Sequence, residues 1–312
     1  MARVSVVIPS YQHERFLGAA LDSLEAQTRP PDEIVVVDDG SKDGSVALVK
    51  ARLRPGLRLL EQENRGAHAA LNRGIEETTG EIVFLLNSDD RFAPERLETL
   101  ASLLEEGPGA GLASSWLRLI DAKGKALGVK EAWRNMHPWP ARRPERTFVA
   151  TPNARWNLLQ GNYLATTSNF AFRRELWEKA GPFRPLRFAH DWDFALTAAL
   201  DAAPTVVEEP LVEYRIHERN TIRTDPKEME LEALWVVARH LGRFATRETT
   251  GTPEGSREFL DRLLESFHAF GKERLFTLLV ALAGDDSPGS AFSSLLERES
   301  PLRRWALEEL SR

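Results

Sequence analysis

The feature that most constrains the fold is an alternation, over the first hundred residues, between short apolar runs and longer stretches with helical spacing. The runs are filled with valine, isoleucine and leucine, as in VSVVI and EIVVV. A strand of this kind is buried on both faces, and helices of about 10 to 15 residues between such strands supply the cover. The pattern therefore predicts an α/β fold with a mainly parallel central sheet. The predicted strands are residues 4–8, 33–39, 57–61 and 81–87, and the predicted helices are residues 15–27, 44–53, 66–78 and 94–106.

Beyond residue 110 the alternation of apolar runs and helical segments is less regular. Residues 122–160 are rich in proline, arginine, lysine and tryptophan without periodicity, and are predicted to form an irregular excursion that carries part of a binding surface. From residue 226 onward the segments have helical spacing. The predicted organisation is an α/β domain of residues 1–225 followed by an α-helical extension of residues 226–312. The other predicted elements are strands at 112–121, 205–208 and 211–215 and helices at 174–180 and 191–200.

Composition excludes several classes of protein. The chain of 312 residues has a formal net charge of −6, whereas a protein that binds nucleic acid is usually basic. It has no cysteine, which excludes a disulfide framework and a thiolate metal site. No apolar run reaches the roughly 18 residues of a membrane span, and the first run is too short for a signal peptide. A cytoplasmic protein is expected, whose helical extension either packs on the domain, the favoured option, or rests on the inner membrane face.

Polar residues follow three of the predicted strands at their carboxyl ends. Tyr11 comes after the first strand, Asp38 and Asp39 end the second, and Asp89 and Asp90 come after the fourth. The carboxyl ends of parallel strands meet at one edge of a sheet, where ligands of such sheets bind. Adjacent carboxylates repel each other unless a cation compensates them. Oxygen ligands select Mg²⁺ or Mn²⁺ over Zn²⁺, and such an ion commonly shares its open positions with substrate phosphates.

The acidic and glycine-containing loops fit neither a calcium-binding loop nor a glycine-rich phosphate loop. A calcium loop that begins at Asp39 would need a bidentate glutamate at its twelfth position, where Lys50 stands. Asp43 is expected to cap the following helix. Neither of the glycine-rich phosphate loops, G-x-G-x-x-G and G-x-x-x-x-G-K-[ST], occurs in the chain. Dinucleotide-binding and P-loop proteins are therefore disfavoured.

A set of sequence blocks stands in a fixed order and spacing between residues 4 and 217. The first four are VSVVIPSYQHERFLGAALDSLEAQT, EIVVVDDGSKDGS, NRGAHAALNRGI and GEIVFLLNSDDRFAPERLE, and GNYLATTSNFAFRRELWEKAGPF, HDWDFAL and YRIHERNT follow. Together they resemble the inverting family 2 glycosyltransferases with a GT-A fold. The resemblance implies a nucleotide-sugar-binding GT-A fold, a nucleoside-diphosphate sugar as donor, with UDP favoured, and Mn²⁺ or Mg²⁺ as cofactor.

The resemblance identifies the acidic pair after the fourth strand as the metal-binding motif of the D-x-D type. It reads Ser88-Asp89-Asp90 here, so a serine stands where a strict D-x-D has its first acid. The resemblance implies that Asp90 is the direct metal ligand and that Asp89, beside Ser88, faces the ribose or the donor sugar. His217, in YRIHERNT, is implied as a metal ligand or a diphosphate contact, and a structural role for it stays equally open.

The nucleotide-binding residues are implied in the same way. Pro9 and Tyr11 are expected against the base, and Asp39 is expected to contact it. Asn72, in the block NRGAHAALNRGI, is a further donor-binding candidate. The identities of the base, the sugar and the acceptor are left open, and the acceptor is a glycan, a lipid-linked molecule or a small molecule. The oligomeric state is left open as well.

The block HDWDFAL resembles the family's Glu-Asp motif, whose aspartate is the catalytic base. Asp191 takes the position of that base, whereas His190 stands where the family has glutamate. Asp193 is a rival, but on a helix it points about 200° away from Asp191, so only one of the two faces the pocket. We favour Asp191.

The predicted function is inverting, metal-dependent and non-processive sugar transfer to an acceptor hydroxyl, in the synthesis of a cell-surface glycan or glycoconjugate. The Q-x-x-R-W signature of processive synthases is missing, because Pro301 stands in the place of its glutamine. One alternative is a sugar nucleotidyltransferase, which would need a glycine-rich triphosphate loop that PSYQHERFLG does not supply. The other is a catalytically silent nucleotide-sugar-binding protein, against which the acids at the strand ends argue.

Overall fold

The apolar runs of the first half form strands because burial on both sides demands apolar residues throughout. Every residue of β1 (Val4–Ser10), β2 (Glu33–Asp38) and β4 (Ile82–Leu85) is buried. β3 (Leu57–Glu61) lies at the end of the sheet and is only partly buried. The computed structural model describes residues 1–107, 111–135, 152–221, 224–248 and 272–311.

The remaining elements include several that the sequence did not predict, namely the strands Arg91–Phe92, Ala126–Lys130 and Ala171–Arg173 and the helix Ala154–Gln160. The other strands are β5 (Arg91–Phe92), β6 (Leu112–Asp121), β7 (Ala126–Lys130), β8 (Ala171–Arg173) and β9 (Thr205–Ile216). The helices of the sheet-containing part are α1 (Glu14–Glu25), α2 (Ser45–Lys50), α3 (Ala67–Glu76), α4 (Arg96–Glu106), α5 (Ala154–Gln160), a 3₁₀ turn (Thr167–Asn169), α6 (Arg174–Ala180) and α7 (His190–Ala199). The later helices are α8 (Pro226–Glu248), α9 (Glu273–Leu282), α10 (Ala291–Ser294) and α11 (Pro301–Glu309).

One mixed sheet of nine strands organises the fold, in the order β3-β2-β1-β4-β8-β6-β9-β5, with β7 paired to β6. The strands β3, β2, β1 and β4 are parallel, and β8 runs antiparallel to β4 and β6. The predicted parallel sheet is therefore confirmed for its first four strands. Their parallel direction places the carboxyl ends of β1, β2 and β4 at one edge, which is where the candidate site lies.

The two faces of the sheet bury two separate apolar layers. Val7 and Leu85 point into a layer formed with α3, α5, α7 and α8, whereas Val6 and Phe84 point into the layer of α1 and α4. This alternation is the period of two that a strand imposes on its side chains. The helix α3 lies so close to β1 that a Cβ added at Gly74 would stand 2.3 Å from Cγ1 of Val7. A larger side chain at that position would push α3, and the loop before it, away from the sheet.

The predictions were wrong in the region after residue 121. The residues predicted as an irregular excursion contain β7 and α5, and the rest of that excursion, residues 136–151, lies outside the described residues. β7 is an edge strand with three exposed residues, so its sequence lacks an apolar pattern. The two short strands predicted at 205–208 and 211–215 are one strand, β9, whose register against β6 shifts between Val207 and Pro210. Proline interrupts the apolar pattern there without ending the strand.

The C-terminal helices share the apolar layer that covers α7. Trp235 and Val236 of α8, Leu275 of α9 and Phe292 of α10 belong to the same cluster as Phe194 of α7. The predicted helical extension therefore packs on the sheet-containing part through a common core. Within the described residues, the structure contains no helix with the length and hydropathy needed to cross a bilayer.

Candidate active site

A cavity of about 250 Å³ opens at the sheet edge where β1, β2 and β4 end. Its walls come from those strand ends, the start of α3, the turn before the 3₁₀ helix and the start of α7. Most of the predicted site residues line this cavity, although they are spread over 180 residues of sequence. The predicted residues in its wall are Pro9, Tyr11, Asp39, Ser88, Asp89 and Asp191.

Asp39 lines the cavity and holds the loop that leads into α3. Its carboxylate accepts hydrogen bonds from the side chain of Gln62 at 2.8 Å and from the backbone amides of Arg65 and Gly66 at 2.9 and 2.8 Å. Gly66 has φ of +91°, a conformation that favours glycine and that aims its amide at the carboxylate. Asp39 is thus both a wall of the cavity and a structural anchor of the loop.

Tyr11 is the most exposed of the predicted residues. Its side chain is 42% exposed and lines the cavity directly after β1. An exposed aromatic ring in the wall of a cavity offers an apolar face on which a flat ligand can stack. The base-binding role that the family resemblance implies for Tyr11 stays a prediction.

A cluster of two histidines and one carboxylate lies beside the cavity. Potential ligand atoms of His13, Asp89 and His217 all lie within 4.8 Å of one another. His217 Nε2 is 2.9 Å from Asp89 Oδ2, and His13 Nδ1 is 2.8 Å from Ser88 Oγ. Burial of the Asp89 carboxylate disfavours its charge, but the hydrogen bond from His217 and the proximity of both imidazole rings hold its pKa below the ordinary value. Asp89 is therefore an ionised oxygen ligand next to two imidazole nitrogens.

Asp90, predicted as the direct metal ligand, is not part of this cluster. The amide of Asp90 donates to the carbonyl of Asn87, so the chain turns here and the two aspartates point in different directions. Asp90 is 1% exposed, and its oxygens accept from Ser168 Oγ at 2.6 Å and from the amide of Arg215 at 2.8 Å. Burial and the neighbouring charge of Asp89 raise its pKa well above the ordinary value. The structure therefore gives Asp90 a place in a buried hydrogen-bond network and leaves Asp89 beside the histidines.

Asn72, predicted as a donor-binding residue, also lies away from the cavity. Its amide oxygen accepts from the backbone N–H of Phe183 at 2.8 Å, and its Nδ2 donates to the carbonyl of Phe183 at 2.9 Å. These two bonds hold the loop after α6 on α3. Both hydrogen-bonding ends of the side chain are thereby used inside the protein.

Asp191 lies at the start of α7 and faces the cavity. It is 7% exposed and accepts a hydrogen bond from the amide of Trp192 at 2.7 Å and another from the side chain of Asn162. Burial raises its pKa to about 6, although these hydrogen bonds oppose the change. His190, which stands where the family has glutamate, lies beside it in the cavity wall. A buried carboxylate with a raised pKa in a cleft has the properties of a general base.

Asp193, the rival to Asp191, points away from the cavity and into α8. Its Oδ1 lies 2.9 Å from Arg239 Nη1 and 2.9 Å from His240 Nε2. Although burial disfavours the charge of Asp193, its hydrogen bond with His240 and the nearby positive charge of Arg239 hold its pKa below the ordinary value. The helical geometry thus separates the two aspartates as predicted, with Asp191 toward the cavity and Asp193 toward the C-terminal helix.

The sequence reasoning missed His13 of the two-histidine cluster and Glu232, which holds the loop before α7. His13 follows Tyr11 closely at the end of β1, and a histidine at that strand end was the available signal. Glu232 of α8 accepts hydrogen bonds from the loop before α7, but no local motif marks it. A side chain that reaches the site from a distant helix leaves no signal in its own neighbourhood of the sequence.

Comparisons with known proteins agree with this fold. The family model described as Glycosyl transferase family 2 matches residues 5–180. The chain is 30% identical over 224 residues to the uncharacterized glycosyltransferase alr2836 of Nostoc sp. (strain PCC 7120). That match covers 70% of this chain, and the chain spans 66% of the relative's length.

Two solved structures of lower identity share the fold. TarS 1–349 of S. aureus, in complex with UDP-GlcNAc, superposes with a TM-score of 0.55 at 19% identity, over 99% of this chain and 89% of TarS 1–349. The mannosyltransferase PcManGT from Pyrobaculum calidifontis, in complex with GDP-Man and Mn²⁺, gives a TM-score of 0.55 at 21% identity, over 99% and 86% of the two chains. These likenesses confirm the predicted fold class.

Proposed function

Because the chain belongs to glycosyl transferase family 2, we propose that it moves a sugar from a nucleoside-diphosphate sugar to an acceptor hydroxyl with inversion at the anomeric carbon. The observation that carries this proposal is one cavity lined by the buried carboxylate of Asp191 and by Asp89 of the two-histidine cluster. A base and a site for a charged leaving group are the two parts that a single displacement requires. The two structural neighbours named above were each solved with a nucleoside-diphosphate sugar, which supports the donor class.

Asp191 is the proposed base. One of its carboxylate oxygens takes the proton of the acceptor hydroxyl while the hydroxyl oxygen of the acceptor attacks the anomeric carbon. The bond from the anomeric carbon to the diphosphate oxygen breaks, and the nucleoside diphosphate leaves with the bonding electrons. A single attack from the face opposite the leaving group inverts the anomeric centre. Trp192, whose indole Nε1 donates to the carbonyl of Leu158 at 2.7 Å, helps to fix the first turn of α7 that carries the base.

The residues that would hold a divalent cation are Asp89, His217 and His13. One ionised oxygen and two imidazole nitrogens within 4.8 Å of one another fit a first-row divalent metal, with positions left for diphosphate oxygens. A cation bound there would neutralise the negative charge that develops on the leaving diphosphate. The hydrogen bond between His13 Nδ1 and Ser88 Oγ fixes the orientation of the His13 ring next to Asp89. Imidazole ligands favour Mn²⁺ over Mg²⁺, which prefers oxygen alone.

The base of the donor is proposed to lie against Pro9 and Tyr11 and to contact Asp39, all of which line the cavity. Tyr11 supplies an exposed ring, and Asp39 keeps the Gly66 loop in place. UDP stays the favoured nucleotide. The acceptor, a glycan, a lipid-linked molecule or a small molecule, would enter from the side of Asp191, and transfer is proposed to be non-processive.

The boundary between residues 1–225 and 226–312 and the cytoplasmic location, with or without peripheral membrane contact, also stay proposals. Asp191 lies beyond residue 180, where the family match ends, so the proposed base belongs to the part of the chain after the matched segment. The common core of α7 and α8 supports treating the two parts as one working unit.

A donor screen tests the proposal directly. We expect one class of nucleoside-diphosphate sugar, among UDP-, GDP- and dTDP-sugars, to raise the melting temperature in the presence of metal, because a ligand that binds only the folded state stabilises it. Mn²⁺ should give a larger increase than Mg²⁺, and EDTA should remove it. The measurement is thermal shift, followed by detection of released nucleoside diphosphate.

The same screen separates the alternatives. Donor binding with neither transfer nor slow donor hydrolysis would indicate a silent nucleotide-sugar-binding protein. Release of pyrophosphate from a nucleoside triphosphate would indicate a sugar nucleotidyltransferase. No metal-dependent shift with any donor would refute the proposed function.

The pH dependence provides an independent test. Asp191 acts as a base only when it is ionised, and burial raises its pKa to about 6. We therefore expect kcat/KM to be constant well above pH 6 and to fall about tenfold per unit of pH below it. Donor binding, measured over the same range, should show whether loss of donor affinity contributes to the decline. A kcat/KM that does not decrease between pH 7 and pH 5 would contradict the assignment.

A further inference from the structure

A carboxylate from the C-terminal helix α8 lies beneath the loop that leads into the base-bearing helix α7. Glu232 is 3% exposed, and its Oε1 accepts from the amide of Arg187 at 3.0 Å. Its Oε2 accepts from the amides of Phe188 at 2.7 Å and Ala189 at 3.1 Å. One buried side chain thus satisfies three consecutive backbone donors.

The sequence before α7 explains why these donors need an outside partner. Arg187, Phe188 and Ala189 all precede α7, which begins at His190, so no carbonyl of that helix accepts from their amides. Unpaired backbone N–H groups at a buried helix start are costly. Glu232 supplies the missing acceptors from another helix, and its negative charge also suits the positive end of the α7 dipole.

The loop and the helix start held by Glu232 belong to the candidate active site. Arg187 and Phe188 line the cavity, and Asp191 is the second residue of α7. Asp191 therefore lies only two residues beyond the last amide that Glu232 binds. Any movement of this backbone moves the Asp191 carboxylate relative to the cavity.

α8 makes a second contact with α7 on the other side of the base. Arg239 and His240 both lie 2.9 Å from Oδ1 of Asp193. Arg239 is seven residues after Glu232, about two turns, so the two side chains lie on the same face of α8. Asp286, 2.9 Å from Nε of Arg239, holds that arginine in place. The segment from Arg187 to Asp193 is thus tied to α8 before and after Asp191.

We infer that α8 is a positioning element of the active site and that Glu232 is its main positioning residue. The inference rests on the proposed function in one respect, the role of Asp191 as the base. Glu232 does not touch the reacting atoms. It fixes the backbone of residues 187–189, and through it the direction of the Asp191 carboxylate.

The test compares Glu232→Gln with two controls on the same helix. Glutamine has one acceptor oxygen and cannot accept from all three amides in the same way. Glu230→Gln makes the same chemical change at a residue for which the structure shows no hydrogen bond or ion pair to another described residue. Val236→Ala removes the two methyl groups of a fully buried side chain from the core that α7 and α8 share. This change lowers stability without altering a contact of residues 187–189.

We expect Glu232→Gln to lower kcat by roughly 10- to 100-fold, because small displacements of a catalytic group are costly. Hydrogen exchange of the amides of Arg187, Phe188 and Ala189 should become at least about tenfold faster. Val236→Ala should lower the melting temperature by at least as much as Glu232→Gln does. When measured far below that temperature, kcat and the exchange of these three amides in Val236→Ala should stay near the wild-type values. Glu230→Gln should resemble the wild type in all three measurements.

Two results would overturn the inference. One is unchanged exchange at residues 187–189 in Glu232→Gln, and the other is a loss of kcat in Val236→Ala as large as that in Glu232→Gln. If Glu232→Gln does not fold, Glu232→Asp, which keeps the charge but shortens the side chain by one methylene group, takes its place with the same expected changes. The exchange measurement needs no donor, so it decides this inference even if the wild-type protein transfers no sugar and the proposed function fails.

Discussion

Replacing Asp191 by asparagine is expected to lower turnover by about 10²- to 10⁴-fold while metal-dependent donor binding stays as in the wild type. Asparagine has nearly the same shape and keeps an oxygen that can accept from the amide of Trp192, which lies 2.7 Å from the present carboxylate. It cannot take the proton of an acceptor hydroxyl. The expected result is thus a loss of chemistry without a loss of fold or of donor affinity.

The measurements for this variant are kcat at saturating donor and the donor dissociation constant in the presence of Mn²⁺. Asp22→Asn is the matched control, since it makes the same change on α1, where an exposed aspartate pairs with Arg52. That control should retain wild-type turnover, because surface ion pairs contribute little to stability. Turnover close to the wild-type value in Asp191→Asn would remove Asp191 from the role of base.

The second large effect is expected from Asp89→Ala, which should abolish both metal binding and metal-dependent donor binding. Asp89 contributes the negatively charged ligand of the cluster, 2.9 Å from His217. Without it, two neutral imidazoles hold a hard divalent cation poorly, and the diphosphate loses its counter-charge. The affinity for Mn²⁺, measured by the electron paramagnetic resonance signal of the free ion, should fall by at least about 10²-fold.

Asp90→Ala should be measured beside Asp89→Ala, because the family resemblance implies Asp90 as the metal ligand whereas Asp89 is the aspartate beside the two histidines. Asp90 accepts hydrogen bonds from Ser168 and from the amide of Arg215, and both donors would lose a buried partner. Each loss costs about 1–3 kcal/mol of unfolding free energy. We expect a clearly lower melting temperature with Mn²⁺ affinity retained. If Asp90→Ala loses Mn²⁺ binding and Asp89→Ala keeps it, the metal ligand is Asp90 after all.

Much of the fold could be predicted from the sequence because burial imposes a pattern. Runs such as Val4–Ser10 are apolar since both faces of the strand are covered, and this requirement is readable without knowledge of the partners. The prediction was wrong for β7, an exposed edge strand, and for α5, which lies in a stretch of low periodicity. Elements at the edge of a fold show a weak hydrophobic pattern in the sequence, because positions that face solvent can hold nearly any side chain.

That only one of Asp191 and Asp193 faces the cavity also followed from the sequence, since these two residues on one helix point in different directions. The structure places Asp191 in the cavity wall and Asp193 against Arg239. This separation depends only on helical geometry and on which face is polar. The family resemblance supplied the rest of the assignment, because periodicity does not say which face meets the substrate.

The sequence by itself determined the α/β fold, the acidic edge of the sheet and the presence of a candidate base on α7. Only the tertiary structure decided which of Asp89 and Asp90 stands beside the histidines, because a turn at Asn87 sets the directions of neighbouring side chains. It also turned Asn72 toward the Phe183 backbone, and it brought Glu232 under α7. These positions depend on contacts between residues far apart in the chain, and such contacts have no local sequence period.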